Sequence, residues 1–235
     1  REQRLRDSAL RARIKKELES PSPEWENEYF GAGGAKGFVL TGAPNARWRP
    51  FVGRTLAETA ESLGRDPRDV IFDIVLDGDA GFTSGITDES DMRVLLPRPW
   101  VSYQNDAGIR ALDGPFSGGR PHPRAFGTIP RVLGRYTREL ALMTLEEAVR
   151  KGTSLATQTL GVRDRGLLRE GFYADIVVFD PDTIVDRATY DEARYSEGID
   201  YVLVNGDIVL AGGALTGARP GMIVRGPGYR LAQAK

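Results

Sequence analysis

Asp106, His122 and Arg124 are the residues whose types and spacing invite chemistry. They lie in one stretch, Pro99 to Gly127, PWVSYQNDAGIRALDGPFSGGRPHPRAFG. Trp100–Tyr103 is a short aromatic and β-branched run with the composition of a buried strand, and it stops at the polar pair Asn105 and Asp106. That order places a carboxylate at the carboxyl end of a strand. A long Gly- and Pro-rich loop follows, holding the chain's only histidine, His122, and Arg124 two residues later. In α/β folds, polar residues at strand carboxyl ends and the loops after them build active sites. A carboxylate there can carry a proton, although an Asp after a strand also serves as a cap or turn residue. Thr41 and Asn105, likewise at predicted strand ends, either face such a pocket or finish turns.

The elements that must position these residues come from a chain of 235 residues, long enough to bury a sizeable core. Lys plus Arg (32) nearly balance Asp plus Glu (33), so no bulk field favours nucleic acid or an anionic membrane, and a small-molecule partner is expected. The absence of cysteine excludes disulfides, a thiolate nucleophile and thiolate metal sites. No apolar run approaches membrane-spanning length, and the N-terminal segment lacks the apolar core of a signal peptide. A soluble, cytoplasmic protein is the expectation.

Residues 4 to 19 have mostly helical apolar spacing among many charges and predict an amphipathic helix whose mixed charges suit a solvated face. Gly37–Thr41 reads as a short buried strand behind a Gly-rich approach; without a GxxxxGK[ST] pattern, those glycines suit close backbone packing better than phosphate binding. Thr55–Leu63 and Asp66–Leu76 predict helices, the second with Asp66 as cap and Pro67 at the first helical position. Phe82–Ile86 is a candidate strand, and Thr87 precedes a helix with Asp88 and Glu89 in its first turn. This alternation predicts βα units and a parallel sheet. Ile129–Leu140 and Thr144–Leu160 are helical, the latter opened by the capping box Thr144-Leu-Glu-Glu147 and split near Gly152 and Thr153. From residue 162 the character turns to strands, Ala174–Phe179 and Tyr201–Val209, with Asn205-Gly206 as a hairpin signal. Two domains are expected, 1–161 and 162–235. The aromatics Trp25, Tyr29, Phe30 and Phe116 are candidates for an acyl pocket or for core packing.

The phrases PHPRAFGTIPRVLGRY, TLEEAVRKGTSLATQTLGVRDRGLLREGFYADIVVFDPDTI, GIDYVLVNGDIVLAGG and TGARPG resemble the C-terminal part of the N-acyl-D-amino-acid deacylases (D-aminoacylases) of the amidohydrolase superfamily. The similarity runs over roughly residues 25 to 225. It implies an α/β fold: the C-terminal part of a metal-dependent (β/α)8 TIM-like barrel, with an inserted helical segment and an active-site loop at 104–127, followed by strands of a small β-sandwich. It also implies one zinc ion or two, and hydrolysis of an N-acyl-D-amino acid to the D-amino acid and a carboxylate. The family's catalytic aspartate aligns with Asp106, although its usual Ser-Asp-Gly context reads Gln104-Asn-Asp106-Ala-Gly108 here.

Cleaving an amide needs an activated water, stabilisation of the oxyanion and a proton for the leaving nitrogen. Asp106 is the expected proton shuttle. Arg124, stiffened by Pro123, is the expected holder of the substrate carboxylate, with His122 donating to substrate or ordering the loop. The family's metal-binding histidines are absent from this sequence, and one histidine cannot make such a site. The metal ligands are therefore expected in an N-terminal portion, as preceding residues or a companion chain, with Asp106 contributing at most weakly. By itself the chain is expected to be incomplete and inactive. The alternatives are another cyclic-amide amidohydrolase, dihydroorotase- or hydantoinase-like, and a non-catalytic module derived from the fold.

Overall fold

Local side-chain to backbone bonds set most element boundaries in this computed structural model, which describes residues 2–229. The chain groups into two units. One comprises the chain up to Asp88 with Asp113–His122 and Tyr190–Glu192; the other comprises Glu89–Leu112, Pro123–Thr189 and the chain from Ala193 onward.

In the first unit the predicted N-terminal helix is divided into α1 (Glu2–Leu5) and α2 (Ser8–Glu17). The break falls at Asp7, whose extended backbone and carboxylate, accepting from the Ala9 and Leu10 amides at 2.8 and 3.1 Å, cap α2. A short α3 (Glu28–Gly31) is capped by Asn27. Strand β1 (Phe38–Gly42) leads to α4 (Leu56–Ser62), which opens on a full capping box between Thr55 and Glu58. Asp66 caps α5 (Pro67–Leu76), with Pro67 at its first position as expected.

Strand β2 (Gly81–Ser84) pairs with β1 from Phe38↔Ser84 to Gly42↔Gly81, and the pair is antiparallel. This corrects the expected parallel sheet. The chain through α4 and α5 returns to the end of β1 that it left, setting Gly81 opposite Gly42, so β2 runs back along β1. Leu40, Trp48, Leu56, Ala60, Val70 and Ile74 form the core of this unit. The Trp48 indole N–H is satisfied by Asp77 Oδ2 at 2.9 Å.

The second unit begins with α6 (Glu89–Leu95), after which Leu96–Leu112 forms neither helix nor strand. The predicted strand at Trp100–Tyr103 is therefore a correction: among the described residues the segment has no strand beside it, and Trp100 is 72% exposed. Pro97 and Pro99 contribute no donor to a ladder, so apolar composition alone cannot seat this run in a sheet. Helix α7 (Arg124–Arg131) continues directly into a π-helix, Val132–Glu139. The cause lies at Pro130, which cannot donate to the carbonyl of Phe126; the Ser196 hydroxyl donates to that carbonyl instead, at 3.0 Å.

Helices α8 (Leu145–Gly152) and α9 (Ser154–Thr159) follow, with Thr144 Oγ1 accepting from the Glu147 amide at 3.2 Å. The remaining strands are β3 (Ile176–Phe179), β4 (Ile199–Val204), β5 (Asp207–Ala211) and β6 (Ala214–Leu215), and they form one antiparallel sheet in that order. Asn205 and Gly206 turn β4 into β5 with both φ angles positive, 51° and 93°, as a two-residue hairpin of the Asn-Gly kind demands. Leu96, Val132, Leu133, Tyr136, Ala148 and Ile184 make the second core, with Phe179 and Ile199 of the sheet packed against it. Among the described residues no helix is long and apolar enough to cross a membrane.

One ion pair makes the first unit sensitive to acid. Arg68 donates to both oxygens of Asp66, at 3.1 and 2.9 Å, and its amide donates to the same carboxylate at 2.8 Å. These bonds, the guanidinium first, push the Asp66 carboxyl down to about 2. A carboxylate depressed on folding stabilises the fold above its ordinary pKa, and that contribution disappears as pH falls from about 4 to about 2. Replacing Arg68 with Met should therefore remove on the order of 1–2 kcal/mol of stability at neutral pH and raise the acid-unfolding midpoint. Circular dichroism against pH checks this; a stability difference between R68M and parent that is constant from pH 6 to 2 contradicts it.

Candidate functional site

Asp106 lies within the segment that forms neither helix nor strand, at φ +44°, a left-handed conformation that asparagine and aspartate adopt more readily than other non-glycine residues. Such backbone is held only where its surroundings over-determine it, and it concentrates at functional sites. Its side chain is 77% exposed, and Oδ2 lies 3.0 Å from Nη2 of Arg124. Arg124 is the first residue of α7, directly after Pro123 at φ −51°, so the helix start aims the guanidinium. The structure therefore brings together the expected proton carrier and the expected carboxylate binder, with exposed Asn105 preceding Asp106 in sequence.

Thr41 and His122 belong to the first unit. Thr41 is half-buried in β1, and its carbonyl accepts from the Arg120 amide at 2.8 Å. His122 is half-buried, with Nε2 2.9 Å from the Tyr190 hydroxyl and the two rings edge to face at 5.0 Å. Tyr190 carried no sequence signal. Of the candidate aromatics, Trp25 and Tyr29 line an apolar groove of about 870 Å³ with Leu5, Ile14, Leu18 and Phe72; Trp25, Phe30 and Phe116 are all exposed.

The segment leading to Asp106 is gripped by α8. Lys151, fully buried, donates from Nζ to the carbonyls of Leu96, at 2.5 Å, and Arg98. Arg150 Nη2 donates to the Pro99 carbonyl at 2.5 Å. Returning from the segment, the Tyr103 hydroxyl donates to the Ala148 carbonyl at 2.8 Å. Burial pushes the Tyr103 hydroxyl up to about 12, so it stays protonated across the physiological range. Burial likewise pushes the Lys151 ammonium below the usual lysine range, opposed by the Glu147 carboxylate 4.0 Å away. Sequence reasoning missed this grip because Glu147 and Lys151, four residues apart, have the spacing of a solvated helix pair.

Among the described residues, no group of three or more His, Asp or Glu side chains could hold a metal ion. With one histidine, no cysteine and Asp106 engaged by Arg124, the residues present do not fit a metal centre of their own.

Residues 42–210 match the model of the amidohydrolase family. The chain is 41% identical over 174 residues to the N-acyl-D-glutamate deacylase of Alcaligenes xylosoxydans xylosoxydans, covering 74% of this chain and 33% of the relative. Two solved structures superpose well on it. One is a D-aminoacylase studied for its binuclear metal centre, with TM-score 0.67 at 35% identity over 77% of this chain and 36% of that one. The other is the N-acyl-D-glutamate deacylase of Bordetella bronchiseptica in complex with zinc and a phosphonate mimic of the tetrahedral intermediate, with TM-score 0.66 at 36% identity over 77% and 37% of the two chains. The fold and the match define the class: this chain belongs to the amidohydrolase family. It spans about a third of the length of the relatives it matches.

An exposed ion pair contributes little to stability, and Asn accepts the left-handed backbone nearly as well as Asp. Asp106→Asn should therefore shift Tm by no more than about 3 °C. Asp106→Val, β-branched at φ +44°, should cost about 1–2 kcal/mol from backbone strain alone. Differential scanning calorimetry of the two variants checks this; equal Tm values would mean that the left-handed backbone is not a constraint.

Proposed function

We propose that this chain supplies the proton-carrying aspartate and the substrate loop of a metal-dependent N-acyl-D-amino-acid deacylase. One observation carries the reading: an exposed aspartate in left-handed backbone, paired to an arginine at a helix start, in a chain 41% identical to an N-acyl-D-glutamate deacylase. The names of the other relatives, D-aminoacylase and N-acyl-D-aspartate deacylase, support the same substrate class.

In this reading Asp106 takes the proton from the attacking water and returns it to the amide nitrogen as the C–N bond breaks, so the amine leaves neutral. Arg124 has five N–H donors in a planar fork, enough to orient Asp106 through one and to hold the substrate's α-carboxylate through others. Asn105 and Thr41 serve as pocket polar groups, and His122, ordered by Tyr190, donates to substrate or fixes the loop. Zinc, one ion or two, is held mainly by residues outside this chain. The zinc of a related deacylase and the share of each relative that this chain covers support that assignment. The outside residues belong to an N-terminal portion, as preceding sequence or a companion chain, that completes the (β/α)8 barrel and the β-sandwich.

The full-length protein should hydrolyse N-acyl-D-amino acids in preference to N-acyl-L-amino acids and cyclic amides. Asp106→Asn should slow it by about 10²–10⁴-fold, the usual worth of a positioned acid-base group. Turnover of cyclic amides but not of N-acyl-D-amino acids would replace this reading with that of a ring-opening amidohydrolase, and a D106N rate within threefold of parent would point to a non-catalytic module.

A further inference from the structure

We propose that Lys151, Arg150 and Tyr103 form a positioning clamp that fixes the Asp106 carboxylate through the backbone of the segment before it, an inference that rests on the proton-carrier reading of Asp106. Among the described residues the segment from Leu96 to Asp106 has no strand partner. Three of its carbonyls are bound by side chains. Those of Leu96 and Arg98 take the Lys151 ammonium, and that of Pro99 takes the Arg150 guanidinium. Tyr103 then closes the grip by donating to Ala148, on the same helix that carries both cations.

Two further features show that the grip is built to fit. A Cβ placed on Gly152 would stand 2.6 Å from the Tyr103 hydroxyl oxygen, so any larger residue there would push the ring off its acceptor. Lys151 is fully buried, and an ammonium taken out of water is costly unless its hydrogen bonds are made. An apolar side chain of similar volume would fill the space more cheaply, but it would leave the Leu96 carbonyl without its side-chain donor and the Arg98 carbonyl with the Val101 amide alone, loosening the path of the segment.

Asp106 lies three residues beyond Tyr103, a reach of roughly 10 Å. On its other side the Leu112 amide is held by the Tyr195 hydroxyl at 3.3 Å. The left-handed backbone of Asp106 thus stands between two anchors. A proton carrier displaced by about an ångström can lose 10²-fold in rate, so the clamp acts on kcat. It touches no substrate and should leave KM alone.

The test uses the full-length, zinc-loaded enzyme carrying Tyr103→Phe, Lys151→Met or Lys151→Arg, beside Asp106→Asn. Tyr103→Phe removes one oxygen and keeps the ring, so it serves even where Lys151→Met fails to fold. The clamp predicts a kcat loss on the order of 10–100-fold in Y103F and K151M, with KM within threefold and zinc content unchanged. It also predicts faster amide exchange over residues 101–107 and partial recovery of kcat in K151R, which keeps donors for the carbonyls. Folded Y103F with parental kcat and parental exchange, beside an inactive D106N, overturns the clamp and leaves the Asp106 reading standing. A D106N enzyme as fast as parent overturns the Asp106 reading itself, and the clamp with it.

Discussion

Between Leu96 and Tyr103, where the chain has no strand beside it among the described residues, two side chains of one helix bind three of its carbonyls. A ladder would distribute this task over many equivalent bonds. Here it falls on a buried ammonium and a guanidinium of the helix, while the phenol of Tyr103 bonds back from the segment to the helix carbonyl of Ala148. The burial that makes the lysine costly also shields its bonds from competition by water. Helix α8, opened by the Thr144 cap and packed through Ala148 into the second core, is thereby a frame for the residues that approach Asp106.

Helix α7 meets the same residue from the other direction. Its first residue offers the guanidinium to the Asp106 carboxylate, and the rest of the helix is anchored by Val132, Leu133 and Tyr136 in the core. The π-helix that carries these three is a consequence of Pro130, and Ser196 answers the carbonyl that the proline leaves open. The Asp106–Arg124 pair is too exposed to hold the fold together. What it sets is direction: the acceptor that would carry a proton and the fork that would bind a carboxylate are side by side before any substrate arrives.

What was legible in the sequence was local. Thr55, Asp66 and Thr144 declare helix starts because their side chains bond amides two or three residues away, and Asn205-Gly206 declares a hairpin because only such a pair takes two positive φ angles cheaply. Asp106 and Arg124 could be picked out from their loop and its phrases, and they do meet. What escaped was set by residues far apart in the chain. Trp100–Tyr103 has strand composition but no neighbour to pair with among the described residues, and β1 and β2 are antiparallel because the chain returns to the end of β1 that it left. Lys151 has the spacing of a solvated partner of Glu147, and only the packed helix reveals two carbonyls above it. The division of the N-terminal helix at Asp7 was locally encoded, a capping aspartate between basic turns, and is the kind of signal that charge patterning hides.

The central claim is that the Asp106 carboxylate itself carries the proton, and the most direct measurement is chemical rescue. In full-length enzyme with Asp106→Gly, which relieves the backbone strain while deleting the carboxylate, added formate should restore part of the lost rate in proportion to its concentration. A glycine variant that keeps nearly the parental rate without formate would contradict the account.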